Sequence, residues 1–510
     1  MKNTYKLLII FCIGLFSSCE SELDINNDPN FPAEINSGLA LTAAEASIAV
    51  VMGGELTNLG GFYTQYHTQA PSASQYENID SYNLNTAYAN DIWTELYAGC
   101  LNDLKYVTEE STASEDTATL LMAEVLRAYT YQLLVDLFDD VPYSEALNGP
   151  ENITPIVDSG EEIYADLIAK MDAAVATYNA NPTEALYPSQ DILFRGDIDK
   201  WIQFANTLKL KMYLRMAYTP AANPAAVTAL LAEGNFLTED AKFTNFDDTV
   251  NKRNPFYENV LSQTGLGGVN HVASNTLAGF YSENEDPRLR AVFTPSTSGT
   301  YASIAQGTGN DFNNTASAYA RPNIRPNTPV FFISLAEIYF LQAEALVRYS
   351  AGAGAKEMYD AGVLASFQTY QLNFFTDADP TDEEESPWTP EESITLATNF
   401  TSAGGAYEYI PTGVVEDDVR QIMVQKWAAL PYVNNIEAWI ESTRTKFPEV
   451  VAEGSQDYGI GNRIPSAISI LSGVQVPSVL FYPDDEVNRN PNITQRTSVT
   501  ENVWWDQKPE

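Results

Sequence analysis

The stretch Thr117–Phe138, TATLLMAEVLRAYTYQLLVDLF, is the clearest helical signal in the chain. Its apolar side chains recur every three or four residues, as they do along one face of an α-helix, and further leucines widen that face. Residues 139–142, DDVP, then end the helix, because proline disfavours a helical conformation at the residue before it. A helix of this length with a broad apolar face predicts a packed, helical body.

Similar patterns lie on both sides of this stretch. Ser159 and Glu162 have the spacing of a capping box at a helix start. Other helical patterns cover Asn85–Thr108, Ile163–Tyr178, Trp201–Met216, Phe331–Tyr349, Val415–Leu430 and Asn435–Thr443. Trp201–Met216 and Phe331–Tyr349 are rich in alanine at close-approach positions. Such helix pairs are typical of tetratricopeptide-like stacking, although the full consensus does not recur at a fixed period of about 34 residues. Strand signals are few and short, so we predict a mainly α fold.

Three long stretches between the predicted helices lack a regular period: Leu56–Asn83, Glu239–Pro329 and Asn373–Ala406. Loops of this length inside a compact body are either disordered or functional. Their aromatic residues argue against disorder, because disordered segments contain few aromatics. We therefore expect them to be functional loops.

The charge composition excludes several classes of function. The 510 residues include 27 Lys and Arg against 68 Asp and Glu, a formal net charge of −41. This charge repels phosphate backbones and anionic lipid headgroups, which argues against nucleic-acid binding and electrostatic docking to a membrane. His67 and His271 are the only histidines, too few for a multi-histidine zinc site or an iron triad. We predict no metal site and no cofactor.

The N-terminus predicts export and a lipid anchor. A basic start precedes the apolar run Leu7–Phe16, which is shorter than the roughly 20 residues that a membrane span needs. Small residues directly before Cys19 resemble a bacterial lipobox, so we predict a lipoprotein signal peptide at 1–18 and acylation of Cys19; the alternative is a plain signal peptide cut elsewhere. Residues 19–30 then form a tether, and 31–510 a single domain. With Cys19 acylated, Cys100 has no disulfide partner.

A series of segments, in order along the chain, resembles the SusD/RagB-like family of outer-membrane nutrient-binding lipoproteins of Bacteroidetes. The segments are AEVLRAYTYQLLVDLFDDVPYSEA (Ala123–Ala146), EEIYADLIAKMDAAV (Glu161–Val175), DKWIQFANTLKLKMYLRMA (Asp199–Ala217), EDPRLRAVF (Glu285–Phe293), ISLAEIYFLQAEALVR (Ile333–Arg348) and EAWIESTRTKFPEV (Glu437–Val450). Each alone is a weak signal, because helices rich in Ala and Leu are common. Their combination behind a lipobox is specific.

The resemblance implies four tetratricopeptide-like helix pairs as a scaffold, with the long loops building a ligand-binding face. It also implies a lipid-anchored protein of the outer membrane that faces the cell surface and partners a SusC-like TonB-dependent transporter. Because SELDIN after Cys19 is not a compact run of acids, retention in the periplasm is the alternative. In that arrangement the protein captures a nutrient glycan, delivers it to the transporter and acts as its lid. The RagB branch implies a peptide ligand as an alternative.

The composition of Leu56–Asn83 suits sugar binding. Aromatic rings cover the apolar C–H face of a pyranose, while amides and carboxylates bind its hydroxyls. Candidate ligand-binding residues in this stretch are Tyr63, Tyr66, Gln69, Tyr76 and Asn78. For any single tyrosine, packing of the loop against the body is the competing interpretation.

Trp388 is a further candidate ligand-binding residue. It lies in SPWTP, where prolines on both sides stiffen the loop and present the ring. Closure of the loop against the body is the alternative. The preceding acidic run, Asp382–Glu385, is interpreted as a solvated charge run rather than a metal site.

No catalytic motif stands out. A glycosidase needs two carboxylates about 5–10 Å apart, and among 68 acids no pair is distinguished by spacing. His67 lies in a Tyr- and Gln-rich loop without a nucleophile motif such as G-x-S-x-G. We predict a non-catalytic binding protein with no catalytic residues; a surface glycoside hydrolase is the alternative from a different class.

Overall fold

The computed structural model of the protein describes residues 36–375 and 388–508. The predicted signal peptide, Cys19, the tether and the acidic run at 382–385 lie outside the described residues. Helix accounts for 51% of the structure and strand for 5%, which confirms the mainly α fold.

The elements are as follows. The α-helices are α1 (Ser37–Val51), α2 (Thr57–Tyr63), α3 (Glu77–Asp80), α4 (Asn90–Thr94), α5 (Asn102–Ala113), α6 (Thr117–Phe138), α7 (Gly160–Ala180), α8 (Ile198–Arg215), α9 (Pro224–Glu233), α10 (Asn275–Glu283), α11 (Arg288–Val292), α12 (Leu335–Tyr349), α13 (Ala355–Asn373), α14 (Pro390–Thr401), α15 (Val415–Ala429), α16 (Asn435–Thr445) and α17 (Asp484–Arg489). Segments of π-helix cover Met52–Leu56, Glu95–Leu101 and Tyr257–Leu261. The strands are β1 (His67–Gln69), β2 (Ala241–Phe243), β3 (His271–Ala273), β4 (Phe293–Thr294), β5 (Arg321–Pro322) and β6 (Val330–Ile333), which pair antiparallel as β1–β3, β2–β6 and β4–β5.

The longest helix begins and ends where the sequence predicts. The Asp116 side chain accepts a hydrogen bond from the Thr119 amide at the start of α6, and Asp139 leaves the helix with φ 70°. Ser159 likewise caps α7 by accepting from the Glu162 amide. Side-chain acceptors at these positions satisfy amides that have no partner inside the helix.

Two element predictions were wrong. The start of the predicted helix at 331–349 is strand β6, and the helix begins only at Leu335. All three stretches that we predicted as irregular contain helices: α2 and α3 in Leu56–Asn83, α10 and α11 in Glu239–Pro329, and α14 in Asn373–Ala406. Short helices with several glycines or threonines carry a weak periodic signal, and they form here because neighbouring helices pack on them.

Consecutive helices pack against each other through the body: α5 with α6, α6 with α7, α8 with α9, α12 with α13, and α15 with α16. Helices α6 and α12 both contact α8, which joins successive pairs. Four tryptophans inside helices are buried: Trp93, Trp201, Trp427 and Trp439. We call this assembly of helices the scaffold.

One helical run among the described residues, Ser37–Tyr63, is long and apolar enough to cross a membrane. Most of its apolar window is buried inside the protein, where α1 packs on α5 and α2 packs on α16. These contacts assign the run to the core of the fold. Burial inside a large helical body explains its composition.

Candidate ligand-binding face

Three segments that consist mostly of loops and short helices meet at one side of the molecule: 70–83, 296–320 and 464–476. The Ser72 hydroxyl donates a hydrogen bond to the Asn314 carbonyl oxygen at 3.2 Å. The Ala467 amide donates to the Gln306 carbonyl oxygen at 3.0 Å, and the Ile470 amide donates to that of Ser81 at 3.0 Å. We call these three segments the loop face.

Strand pairing and a glycine determine how closely the segments of the loop face pack together. Strand β1 pairs with β3, with Gln69 opposite His271, so that the chain turns into the loop face directly after the sheet. A Cβ atom at Gly309 would lie 2.7 Å from the Gln69 carbonyl oxygen, closer than side-chain carbons approach. The two segments therefore come together only because position 309 is glycine. A small apolar cluster lies beneath them: Ala70, Val272, Ile304, Ala316 and Tyr319.

The loop face presents an aromatic ring surrounded by polar side chains. Phe312 is 39% exposed, and its ring packs edge-on against that of Tyr319 with centroids 6.1 Å apart. The Asn314 amide donates to the Tyr319 hydroxyl at 3.3 Å, and Asp311 and Asn313 are exposed on either side of the ring. A ring with neighbouring amides can cover the apolar face of a sugar and bind its hydroxyls.

The structure places Tyr63 and Tyr66 in the core. Tyr63 is 1% exposed and packs edge-on against Tyr82 and Trp439. Tyr66 is fully buried, and its hydroxyl donates to the Trp427 carbonyl oxygen at 2.6 Å. Neither ring has a face available for stacking, so a role in contacting ligand is incompatible with these positions.

Gln69, Tyr76 and Asn78 lie in or beside the loop face, with different exposure. Gln69 is buried: its amide nitrogen donates to the Asn270 carbonyl oxygen at 3.1 Å, and its amide oxygen accepts from the Tyr76 amide at 2.7 Å. Gln69 therefore positions Tyr76 instead of facing solvent. Tyr76 is half-buried against the ring of His271, and Asn78 is exposed. Burial raises the pKa of Tyr76 to about 12, so its hydroxyl stays protonated and can donate.

Trp388 is buried against α13. Only 7% of it is exposed, and its ring meets those of Phe367 and Phe375 edge-on at 5.9 and 5.4 Å. The structure therefore matches the alternative in which this residue closes its loop against the body. An exposed stacking platform at Trp388 is incompatible with this position.

Both histidines lie buried behind the loop face and are neutral. His67 contacts the Tyr432 hydroxyl through Nδ1 and the Asn58 carbonyl oxygen through Nε2, each at 3.1 Å. Nε2 of His271 lies 2.7 Å from Oδ1 of Asn58. Burial lowers the pKa of His67 to about 3 and that of His271 well below its usual range. Both rings therefore act in packing and hydrogen bonding, and neither is positioned as a base for a surface ligand.

Phe312, Asn314 and Tyr319 were not among the sequence-predicted site residues. Their segment, GNDFNNTASAY (309–319), has the same mixture of aromatic and amide residues that singled out Leu56–Asn83. The same criterion applied to this segment would have identified it. Within residues 36–375 and 388–508, no group of three or more His, Cys, Asp or Glu side chains is placed to hold a metal ion.

A family model described as "Starch-binding associating with outer membrane" (SusD-like) matches residues 29–467, most of the chain. The chain belongs to the SusD-like family. Members of this family bind carbohydrate without catalysing a reaction, so the protein is a binding protein and not an enzyme. The family is associated with the outer membrane.

Solved structures of SusD homologues share the fold. A chitin-binding SusD homologue from Flavobacterium johnsoniae has 19% identity and a TM-score of 0.72, covering 92% of this chain and 99% of its own. A SusD homologue from Bacteroides uniformis has 22% identity and a TM-score of 0.72, covering 93% of this chain and 100% of its own. No curated protein matches the chain by sequence. At these identities the solved structures establish the tetratricopeptide-containing fold alone.

Proposed function

We propose that this SusD-like protein is a cell-surface lipoprotein that binds a nutrient oligosaccharide on its loop face. It delivers the glycan to a SusC-like TonB-dependent transporter. Acylated Cys19 anchors the protein in the outer membrane beside this transporter. Family membership supports the uptake role, and the predicted lipobox supports the anchor. The observation that carries the ligand assignment is the exposed Phe312 ring with its neighbouring amides.

The charge of the loop face favours a neutral glycan. The exposed charged side chains closest in sequence to Phe312 and Asn78 are the acids Asp311 and Glu77. Uronic or sulfated sugars would be repelled by these groups and by the net charge of the chain. Binding through one partly exposed ring and a few amides predicts a dissociation constant on the order of micromolar to millimolar, which permits release to the transporter.

The stacking role is tested with Phe312→Ala. Removal of a ring that covers a sugar should weaken binding roughly ten- to hundredfold, because an aromatic side chain contributes about 1.5–3 kcal/mol when it is fully covered. Isothermal titration of residues 20–510 against a panel of neutral and acidic oligosaccharides, scored together with release of reducing ends, measures the effect.

Tyr187→Ala is the matched control. Tyr187 is 36% exposed, similar to Phe312, and lies against Gly38 at the start of α1 on the scaffold. This variant should bind as the parent does. Unchanged binding by Phe312→Ala would contradict the assignment of the ring to the binding site. If peptides bind and glycans do not, the ligand is a peptide and not an oligosaccharide.

A further inference from the structure

A single buried carboxylate joins two segments of the loop face. Asp80 is fully buried at the end of α3, and its Oδ2 accepts hydrogen bonds from the Thr68 hydroxyl at 2.8 Å and the Gln69 amide at 3.1 Å. Its Oδ1 accepts from the side-chain amide of Gln306 in the neighbouring segment. The Gly307 amide donates to the Thr68 hydroxyl at 3.0 Å and extends the same connection.

This carboxylate is surrounded by neutral groups. None of the ion pairs within residues 36–375 and 388–508 includes Asp80. The Tyr82 phenol interacts with it, and burial keeps this phenol protonated by raising its pKa to about 12; the donors from β1 and from 306–307 are uncharged. The histidines of the adjacent sheet, His67 on β1 and His271 on β3, are neutral and contact Asn58 instead of Asp80. A buried carboxylate without a cation is costly, even when it is hydrogen-bonded. Burial accordingly raises the pKa of Asp80 to about 6, and its hydrogen bonds only partly oppose this.

The surroundings of Asp80 can accept its proton. The side-chain oxygen of Gln306 is buried and has no hydrogen-bond partner among the described residues. Rotation of the Gln306 amide by about 180° would bring this oxygen towards Asp80, where it would accept from the protonated carboxyl. The protonated acid can therefore keep the two segments connected without a buried charge.

Opening of the loop face would expose Asp80 to water, where its pKa is near the ordinary value of 3.8. The closed state therefore binds a proton more tightly than the open state. Below about pH 3.8 both states are protonated and closure is strongest; as the pH rises towards and through 6, the closed state loses this advantage. With these two values, the opening equilibrium constant is about tenfold larger at pH 7.5 than at pH 5.

We propose that Asp80 is a positioning residue that acts as a pH-dependent latch. Its ionised carboxylate favours separation of segments 70–83 and 296–320, and uptake of one proton holds them together. Because these segments carry Tyr76, Asn78 and Phe312, closure would also strengthen glycan binding, a consequence that rests on the function proposed above.

Hydrogen exchange of the purified protein at pH 5 and pH 7.5, corrected for the intrinsic pH dependence of exchange, tests the latch without a ligand. In the parent, we expect about tenfold more opening of 70–83 and 296–320 at pH 7.5. Asp80→Asn mimics the protonated acid, because its amide can donate to Gln306 without a charge. This variant should stay protected at both pH values, whereas a mere hydrogen-bond role predicts increased exchange in the variant.

Asp158→Asn is the matched control. Asp158 also accepts several hydrogen bonds, from the amides of Tyr143 and Ser144 at 2.9 and 2.8 Å, but it is partly exposed. This variant should loosen 143–158, which shows what the loss of carboxylate hydrogen bonds alone does to exchange.

Opening of the parent that does not depend on pH, or increased exchange in Asp80→Asn, would overturn the latch. If Asp80→Asn does not fold, the carboxyl carbon resonance of Asp80 in the parent decides: titration near pH 6 supports the latch, and titration near pH 4 refutes it.

In a separate arm, glycan titration at both pH values should give tighter binding at pH 5 for the parent and pH-independent binding for the variant. Absence of glycan binding at any pH would refute the proposed function, while the exchange arm still reports on Asp80.

Discussion

The scaffold and the loop face both bury ionisable side chains, but they do so in opposite ways. In the scaffold, Arg215 contacts Asp136 at 3.2 Å and Glu437 at 2.8 Å, and it also pairs with Glu441. Lysines and a second arginine continue this network across α8, α15 and α16: Lys211, Lys426 and Arg444. Burial alone would raise the pKa of Glu437, but the positive charges of Arg215 and Lys211 lower it to about 2.

Around the loop face the buried ionisable groups are surrounded by neutral side chains. His67 lies among the rings of Phe62, Phe256 and Tyr432. Asp80 accepts hydrogen bonds only from uncharged donors. Paired charges keep their ionisation over a wide pH range, whereas unpaired ones shift towards their neutral forms. The comparison indicates that Glu437 in the paired network stays ionised in mild acid, whereas His67 and Asp80 in the loop region shift towards their neutral forms.

The largest expected effect is in the scaffold. Arg215→Met would leave Asp136 and two glutamates short of a cation in a dry core, so we expect a loss of about 3–5 kcal/mol in the free energy of unfolding. Urea denaturation measures it. Arg489→Met is the matched control, because Arg489 is 77% exposed and its contact with Asp485 at 3.4 Å is on the surface, where it contributes less than about 1 kcal/mol. Equal losses in the two variants would show that the buried network has no special role.

An intermediate effect is expected behind the loop face. The pKa of His67 is lowered to about 3 in the fold, so the unfolded chain binds its proton more readily. The stabilisation is therefore complete above about pH 6.5 and is lost as the pH falls towards 3. Between pH 7.5 and pH 5, His67 should account for about 2 kcal/mol of lost stability.

His67→Gln removes this titration, so the difference in unfolding free energy between the two pH values should shrink by about that amount. Denaturation of parent and variant at both pH values provides the comparison. The change between pH 7.5 and pH 9 should be the same in both proteins, because His67 is neutral there. Equal acid sensitivity of parent and variant would refute the assignment of this pH response to His67.

The smallest effect is expected where the two regions meet. Tyr66→Phe removes the hydroxyl that donates to the Trp427 carbonyl oxygen, and the loss of one buried hydrogen bond should cost about 1 kcal/mol of stability. Because the ring is buried in the parent, glycan affinity should not change. Thermal denaturation and titration on the same sample measure both quantities. A weakened glycan affinity with unchanged stability would instead indicate that Tyr66 contacts the ligand.

Local sequence signals predicted the scaffold well. The bounds of α6 agree with the stretch Thr117–Phe138, and Ser159 caps α7 as its spacing with Glu162 indicates. These features depend on residues three or four positions apart, which the sequence displays directly. The strand at Val330–Ile333 was missed because it pairs with β2, about 90 residues earlier, and that pairing has no local signature.

The exposure of the candidate aromatic residues was predicted less well. Tyr63, Tyr66 and Tyr76 share one stretch of similar composition, yet only Tyr76 retains a partly exposed ring. The first two are covered by Trp439 and Trp427, which lie more than 350 residues further along the chain. Composition therefore singled out a stretch rich in aromatic and amide side chains without indicating which of its rings face solvent.

The sequence by itself determined the helical fold class and the SusD-like family of this protein, because helix periodicity and family motifs depend on residues that are close together in the sequence. The tertiary structure alone decided which aromatic rings remain exposed and which carboxylate is buried without a cation. Exposure and pKa depend on the groups that surround a side chain in space. Asp80 accepts a hydrogen bond from Gln306, more than 200 residues further along the chain, and no local sequence pattern reports such a contact.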